Sequence, residues 1–119
     1  MAAVEDIRRL ALSLPEAVEQ DHHGFPSFRV AGKIFATLRG GPPRLMVKLD
    51  PEDQHNLAEA HPESVAPVPG GWGRQGSTFV RYDLVEAEFA AMLLRLAWRN
   101  VAPKKLLATW ELQADWRAP

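Results

Sequence analysis

The chain has no cysteine. That excludes disulfides, thiolate metal sites and cysteine nucleophiles, and it fits a reducing compartment, so a cytoplasmic location is expected. No stretch approaches the ~18 consecutive apolar residues a membrane span needs. Residues 1–14 carry acids and an arginine pair where a secretory signal would carry an apolar run, so no export signal and no membrane partner are expected. Internal repeats, low-complexity tracts and Ser/Gly linkers are missing too, and 119 residues at 46% apolar content suffice for one core but not two. A single domain spanning 1–119 is the expectation.

Acidic residues are also missing, but only locally. Residues 22–49 hold Arg29, Lys33, Arg39, Arg44 and Lys48 without one Asp or Glu, and residues 64–82 hold Arg74 and Arg81 on the same terms. Those two stretches contain seven bases and none of the fifteen acids, although the whole chain carries a net charge of only −1. The near-neutral average taken alone argues against a dedicated nucleic-acid binder, whereas the partition marks where an anionic partner would land.

Periodicity supplies the elements. Val4, Ile7, Leu10, Ala11 and Leu14 recur at helical spacing until Pro15. Residues 16–23 read equally as an edge strand or a loop. Ser27–Val30, Lys33–Arg39 and Arg44–Leu49 alternate as three short strands. Asp50-Pro51-Glu52-Asp53 opens a helix that Pro62 stops. The Gly- and Pro-rich stretch 65–76 is irregular or a short strand, and Thr78–Tyr82 is another strand. Asp83 with Glu86 forms a capping box for a helix through Trp98, with Phe89, Met92, Leu93, Leu96 and Ala97 as its buried stripe. Pro103 begins a last helix, turning Leu106, Leu107, Trp110 and Leu112 inward. The order implies an α+β two-layer sandwich, an antiparallel sheet with helices packed on one face.

The first hairpin has two candidate registers. A two-residue Ala31-Gly32 loop pairs Arg29 with Ile34 and mixes the faces. A three-residue loop with Gly32 at the left-handed position pairs Arg29 with Lys33 and Phe28 with Ile34, keeping one face apolar at the cost of two opposed like charges. The second is preferred. It turns Arg29, Lys33, Phe35, Arg39, Arg44, Met46 and Lys48 away from the core, with Phe79 and Arg81 joining them.

Several motifs together are similar to those of one family. Leu14-Pro15-Glu16-Ala17, the run from Gly24-Phe25-Pro26-Ser27 to Lys33-Ile34-Phe35-Ala36, Trp72-Gly73-Arg74, and the run from Ala97-Trp98-Arg99-Asn100 to Lys104-Lys105-Leu106 resemble the MmcQ/YjbR family in its own order. The resemblance implies a frataxin-like (CyaY-like) fold, sometimes described as a double-wing arrangement, and a DNA-binding role, with no catalytic residues to carry over. One departure is Ser77, where members often have an aromatic beside the Trp72 loop.

Three constellations follow. The basic face offers Arg29, Lys33, Arg39, Arg44, Lys48 and Arg81 to phosphates and Phe35 and Phe79 to bases, or else it is a solvated surface whose aromatics are covered. Trp72, flanked by glycines and followed by Arg74, is either a stacking platform or a plug for the core. The loop lacks the lysine and the placement of a phosphate-cradling motif. His55 and His61 are six apart and His22 and His23 adjacent, spacings that suit no metal, and the first helix offers only Glu5 and Asp6 to an acidic ridge. Ser27, Ser77 and Thr78 have no base at a recognisable offset. The expectation is therefore a nucleic-acid-binding module without catalytic residues, metal or cofactor. The alternative is a protein-interaction domain or homodimer sealed over Phe35, Met46 and Phe79, with small-molecule binding under the glycine loop a third course.

Overall fold

The computed structural model describes residues 1–113, with the side chains of 109–113 left aside. The chain runs α1 (Val4–Leu12), β1 (Val18–His22), β2 (Phe25–Val30), β3 (Lys33–Arg39), β4 (Arg44–Lys48), α2 (Pro51–Ala60) and β5 (Val65–Pro67). It continues through α3 (Gly71–Arg74), β6 (Ser77–Val80), a 3₁₀ turn (Tyr82–Leu84), α4 (Ala87–Val101) and α5 (Lys104–Gln113). One six-stranded antiparallel sheet results, in the order β1-β2-β3-β4-β6-β5. This is the expected α+β sandwich.

Helices α1 and α4 close one face. Period-two alternation sends Phe28, Val30, Ala36, Leu38, Leu45, Val47 and Val80 under them, all buried against Ile7, Ala11, Leu93, Ala97 and Trp98. Among the described residues Trp98 is the largest fully buried side chain, and its indole N–H donates to the Pro15 carbonyl at 3.0 Å. The α4 stripe is therefore rotated from the expected one: Ala90, Leu94 and Trp98 are buried, while Phe89, Met92 and Leu96 pack only partly. The ambiguous segment 16–23 holds an edge strand. Arg8 of α1 donates to the Glu19 carboxylate at 2.9 and 3.3 Å, fastening that edge to the helix layer. The inward placement expected of Trp110 and Leu112 lies outside the described side chains.

Both leading hairpins turn on two residues in the left-handed region, His23-Gly24 (φ 53 and 87) and Ala31-Gly32 (φ 51 and 80). Such paired positive φ values match the twist of the flanking strands. The register expected for the Ala31-Gly32 hairpin is thereby corrected. Arg29 pairs with Ile34 and Val30 with Lys33, then the register shifts so that Phe28 pairs with Ala36. Phe35 is the extra residue of a β-bulge in β3, and it turns inward beside Ala36 with no exposed surface. The bulge does what the three-residue loop was invoked to do: it restores the apolar face.

The capping box is corrected as well. Asp83 belongs to the 3₁₀ turn and accepts from Arg81, while Glu86 is the N-cap of α4. The carboxylate that would cap a helix neutralises a neighbouring guanidinium instead.

Candidate nucleic-acid interface

Among the described residues, the hollow on the second face is lined by strand residues together with Val68 and the α3 residue Trp72, and the strand register orders the side chains of this face into rows. The middle row runs Gln20, Ser27, Thr37, Met46, Phe79 and Ala66 across all six strands and is uncharged throughout. Two residues further along, Arg39 pairs directly with Arg44, and Arg81 follows Val80, the partner of Leu45. On the opposite side lie Arg29 against Ile34 and Lys48 against Ser77. Successive same-face rows stand ~6.6 Å apart, so the two basic rows flank the neutral one at ~13 Å separation. Among the described residues, no Asp or Glu occupies a strand position on this face. Glu19 and Asp21 of β1 fall on the helix side, opposite Phe28 and Pro26.

Like charges directly opposed, as Arg39 and Arg44 are, destabilise a sheet. Aromatic rings offset this. The Arg39 guanidinium lies 4.4 Å from the Phe25 ring centroid, the Arg44 guanidinium 4.2 Å from that of Phe79, and the Lys48 ammonium 5.8 Å from that of Trp72. Arg29 donates to Ser27 Oγ at 3.3 Å, and Ser27 Oγ donates to the Gln20 carbonyl. Among the described residues, none of Arg29, Arg39, Arg44 and Lys48 has a carboxylate within ion-pair distance. Arg81 differs: Asp83 holds it at 2.9 and 2.7 Å, raising the guanidinium pKa and lowering that of the carboxyl. Its charge is cancelled locally.

Over the neutral row lies a trough of about 330 Å³. Thr37, Met46 and Phe79 form its floor, with Ile34 and Val68 on its flanks. Arg39 and His22 stand at one side, and Lys48, Ser77 and Trp72 at the other. The Thr37 side chain is 2% exposed, and its hydroxyl makes no hydrogen bond within the described protein. Such a buried, unsatisfied group costs about 1–3 kcal/mol.

Trp72 is 65% exposed and stands on the one-turn helix α3 at the rim. Exposure does not make it loose, because the turn is pinned from beneath. Gln54 of α2 is buried, and its Nε2 donates to the carbonyls of Gly73 and Ser77 and to Thr78 Oγ1 at 2.9 to 3.0 Å. Thr78 Oγ1 in turn donates to the Gly76 carbonyl. A Cβ at Gly73 would meet the Val68 carbonyl oxygen at 1.8 Å, and one at Gly76 (φ 110) the Leu49 oxygen at 1.9 Å. The glycines thus serve close backbone packing, not mobility.

The structure therefore lines one trough with Arg39, Lys48 and Trp72, and sets Arg29 and Arg44 in the basic rows of the same sheet face outside that lining, with Arg81 on this face but paired. It corrects two expected members. Phe35 is in the core, because the bulge turns it inward. Lys33, opposite Val30 at the hairpin tip, is exposed on the helix side. Arg74 is exposed on the turn that carries Trp72, outside the trough lining. Thr37, His22 and Ser77 enter the site unforeseen as a group, since only cross-strand pairing brings these neutral residues together. The histidines do not converge on one point: His22 and His23 touch each other edge to face, His55 lies 3.9 Å from Glu59, and His61 packs on Phe89. No group of three His, Asp or Glu side chains suited to a metal occurs among the described residues.

An antiparallel sheet with one helix-covered face, one open basic face and a Gly-Trp-Gly turn at its rim defines a class. The YjbR family profile matches residues 12–100, three quarters of the chain, and the protein belongs to that family. A crystal structure of the Deinococcus radiodurans protein DR2400, bearing a DUF419 domain, is similar with a TM-score of 0.72 and 29% identity. The match covers 88% of this chain and 82% of that one. No curated protein matches. Among the described residues, no helix is long and apolar enough to cross a membrane.

Proposed function

We propose that this YjbR-family chain binds nucleic acid, DNA in the first instance, on the open face of its sheet, as a binding protein and not as an enzyme. The observation that carries the reading is the pair of basic rows. Four cations without carboxylate partners flank a neutral, partly aromatic floor, the chemistry that tracks a phosphate backbone while offering ring surface to bases. Arg29, Arg39, Arg44 and Lys48 are the phosphate partners, and Trp72 is the exposed ring. A homodimer or other protein interface sealed over Phe35, Met46 and Phe79 finds less support. Phe35 is in the core, so the three-residue apolar patch that such a partner would seal is not present on the open face.

The test is fluorescence anisotropy with a labelled DNA strand across a salt series. Four phosphate contacts by a single strand give a slope of log affinity against log salt near −2.8, at about 0.7 per contact. Affinity that ignores salt, or no binding at low salt, refutes the proposal.

A further inference from the structure

The trough can be read further, resting on the nucleic-acid reading above. We propose that it seats an unstacked base of a single strand, with Trp72 as the stacking surface and Thr37 as a polar contact at the floor. Three observations converge. The hollow is concave where a sheet that only gripped a backbone would need to be no more than basic, and at about 330 Å³ it lies at the lower end of ordinary ligand sites. Its charge is arranged for a ligand with an apolar middle and anionic sides, because the basic rows stand on either side of the neutral one and not within it. Its lining holds the Thr37 hydroxyl, which is buried and has no hydrogen-bond partner among the described residues.

A paired and stacked duplex presents no free base face to such a hollow, so single strands are the ligand class. The rigid mounting of Trp72 by Gln54, Gly73 and Gly76 favours the same occupant, since a fixed ring loses little freedom when a base stacks on it. Lys48 stands close enough to the ring to meet the phosphate of the nucleotide stacked there.

The experiment compares three labelled probes at low salt: an oligo(dT) of about 12 nucleotides, a strand of equal length with abasic sugars throughout, and a duplex of the same length. The dT strand is expected to bind about tenfold or more tighter than the abasic strand. Trp72→Ala should remove most of that difference, weakening the dT strand far more than the abasic one. Thr37→Val, isosteric and therefore compatible with folding, should weaken dT binding a few-fold relative to the abasic strand and raise Tm. Equal affinity for dT and abasic strands overturns the base pocket and leaves the backbone-binding function standing. Tighter binding of the duplex than of dT also overturns it. No binding to any probe overturns both readings.

Discussion

Neutralising Arg39 and Lys48 together, as Arg39→Gln and Lys48→Gln, separates a functional charge from a structural one. The two stand on opposite sides of the trough, so one variant removes a contact from each basic row. With four contacts at about 0.7 each, raising salt fourfold weakens the parent by about 50-fold; with two contacts left, by about sevenfold. Stability should hardly move. Removing Arg39 forfeits a cation–π contact with Phe25 worth about 0.5–1 kcal/mol. It also relieves the opposition to Arg44, worth about 0.2–1 kcal/mol. The two terms nearly cancel, and Lys48 contributes a single longer contact to the exposed Trp72. Thermal unfolding should therefore place the double variant within about 3 °C of the parent, while anisotropy across a salt series shows half the slope. An unchanged slope would show that these cations do not meet phosphate, and a large loss of Tm would show that they hold the sheet together.

Four further outcomes are expected. Asp83→Asn frees Arg81 and should steepen the salt slope by about 0.7. Because Arg81 holds the Asp83 carboxyl below its ordinary value of 3.8, the pair's contribution is complete above that value and is lost only as pH falls through the lower folded one; the variant's effect should be level from pH 5 to 8. Phe35→Ala should cost about 3–5 kcal/mol in denaturant unfolding, whereas Phe79→Ala, half-buried on the open face, should cost much less and weaken strand binding. Gly76→Ala combines a positive φ with a contact no Cβ tolerates, so a loss of more than about 3 kcal/mol, or failure to fold, is expected. Ala31→Asn places a residue tolerant of the left-handed region at φ 51 and should raise Tm by about 2–5 °C in calorimetry.

Much of this architecture is legible in the sequence, and the exceptions have physical causes. Strands and helices follow from alternation and from Asp50-Pro51, where the aspartate accepts from the Glu52 amide as a cap should. The basic face follows from the acid-free stretches. Phe35 is misplaced because Ile34-Phe35-Ala36 is a continuous apolar run in which alternation leaves no trace of a bulge. Ala31 compounds this: alanine in the left-handed region is disfavoured, so local chemistry points to a longer loop, and the sheet's register overrides it. Asp83 carries a real capping signal that a stronger, bidentate partner two residues earlier takes over. The orientation of Trp72 is settled by Gln54, 19 residues from the Gly73 carbonyl it holds, a tether with no local signature. Thr37 is anonymous in sequence and becomes a site residue only between Ser27 and Met46.

The one-sided layering of the sheet has an evolutionary consequence. Odd and even positions of each strand answer to different selection: Ala36, Leu38, Leu45 and Val47 must fit the helix-covered core, while Thr37, Arg39, Arg44 and Met46 between them lie on the opposite, open face. A lineage can therefore exchange its recognition chemistry residue by residue without disturbing the scaffold beneath. Within one family, the fold can persist while the molecules it recognises diverge.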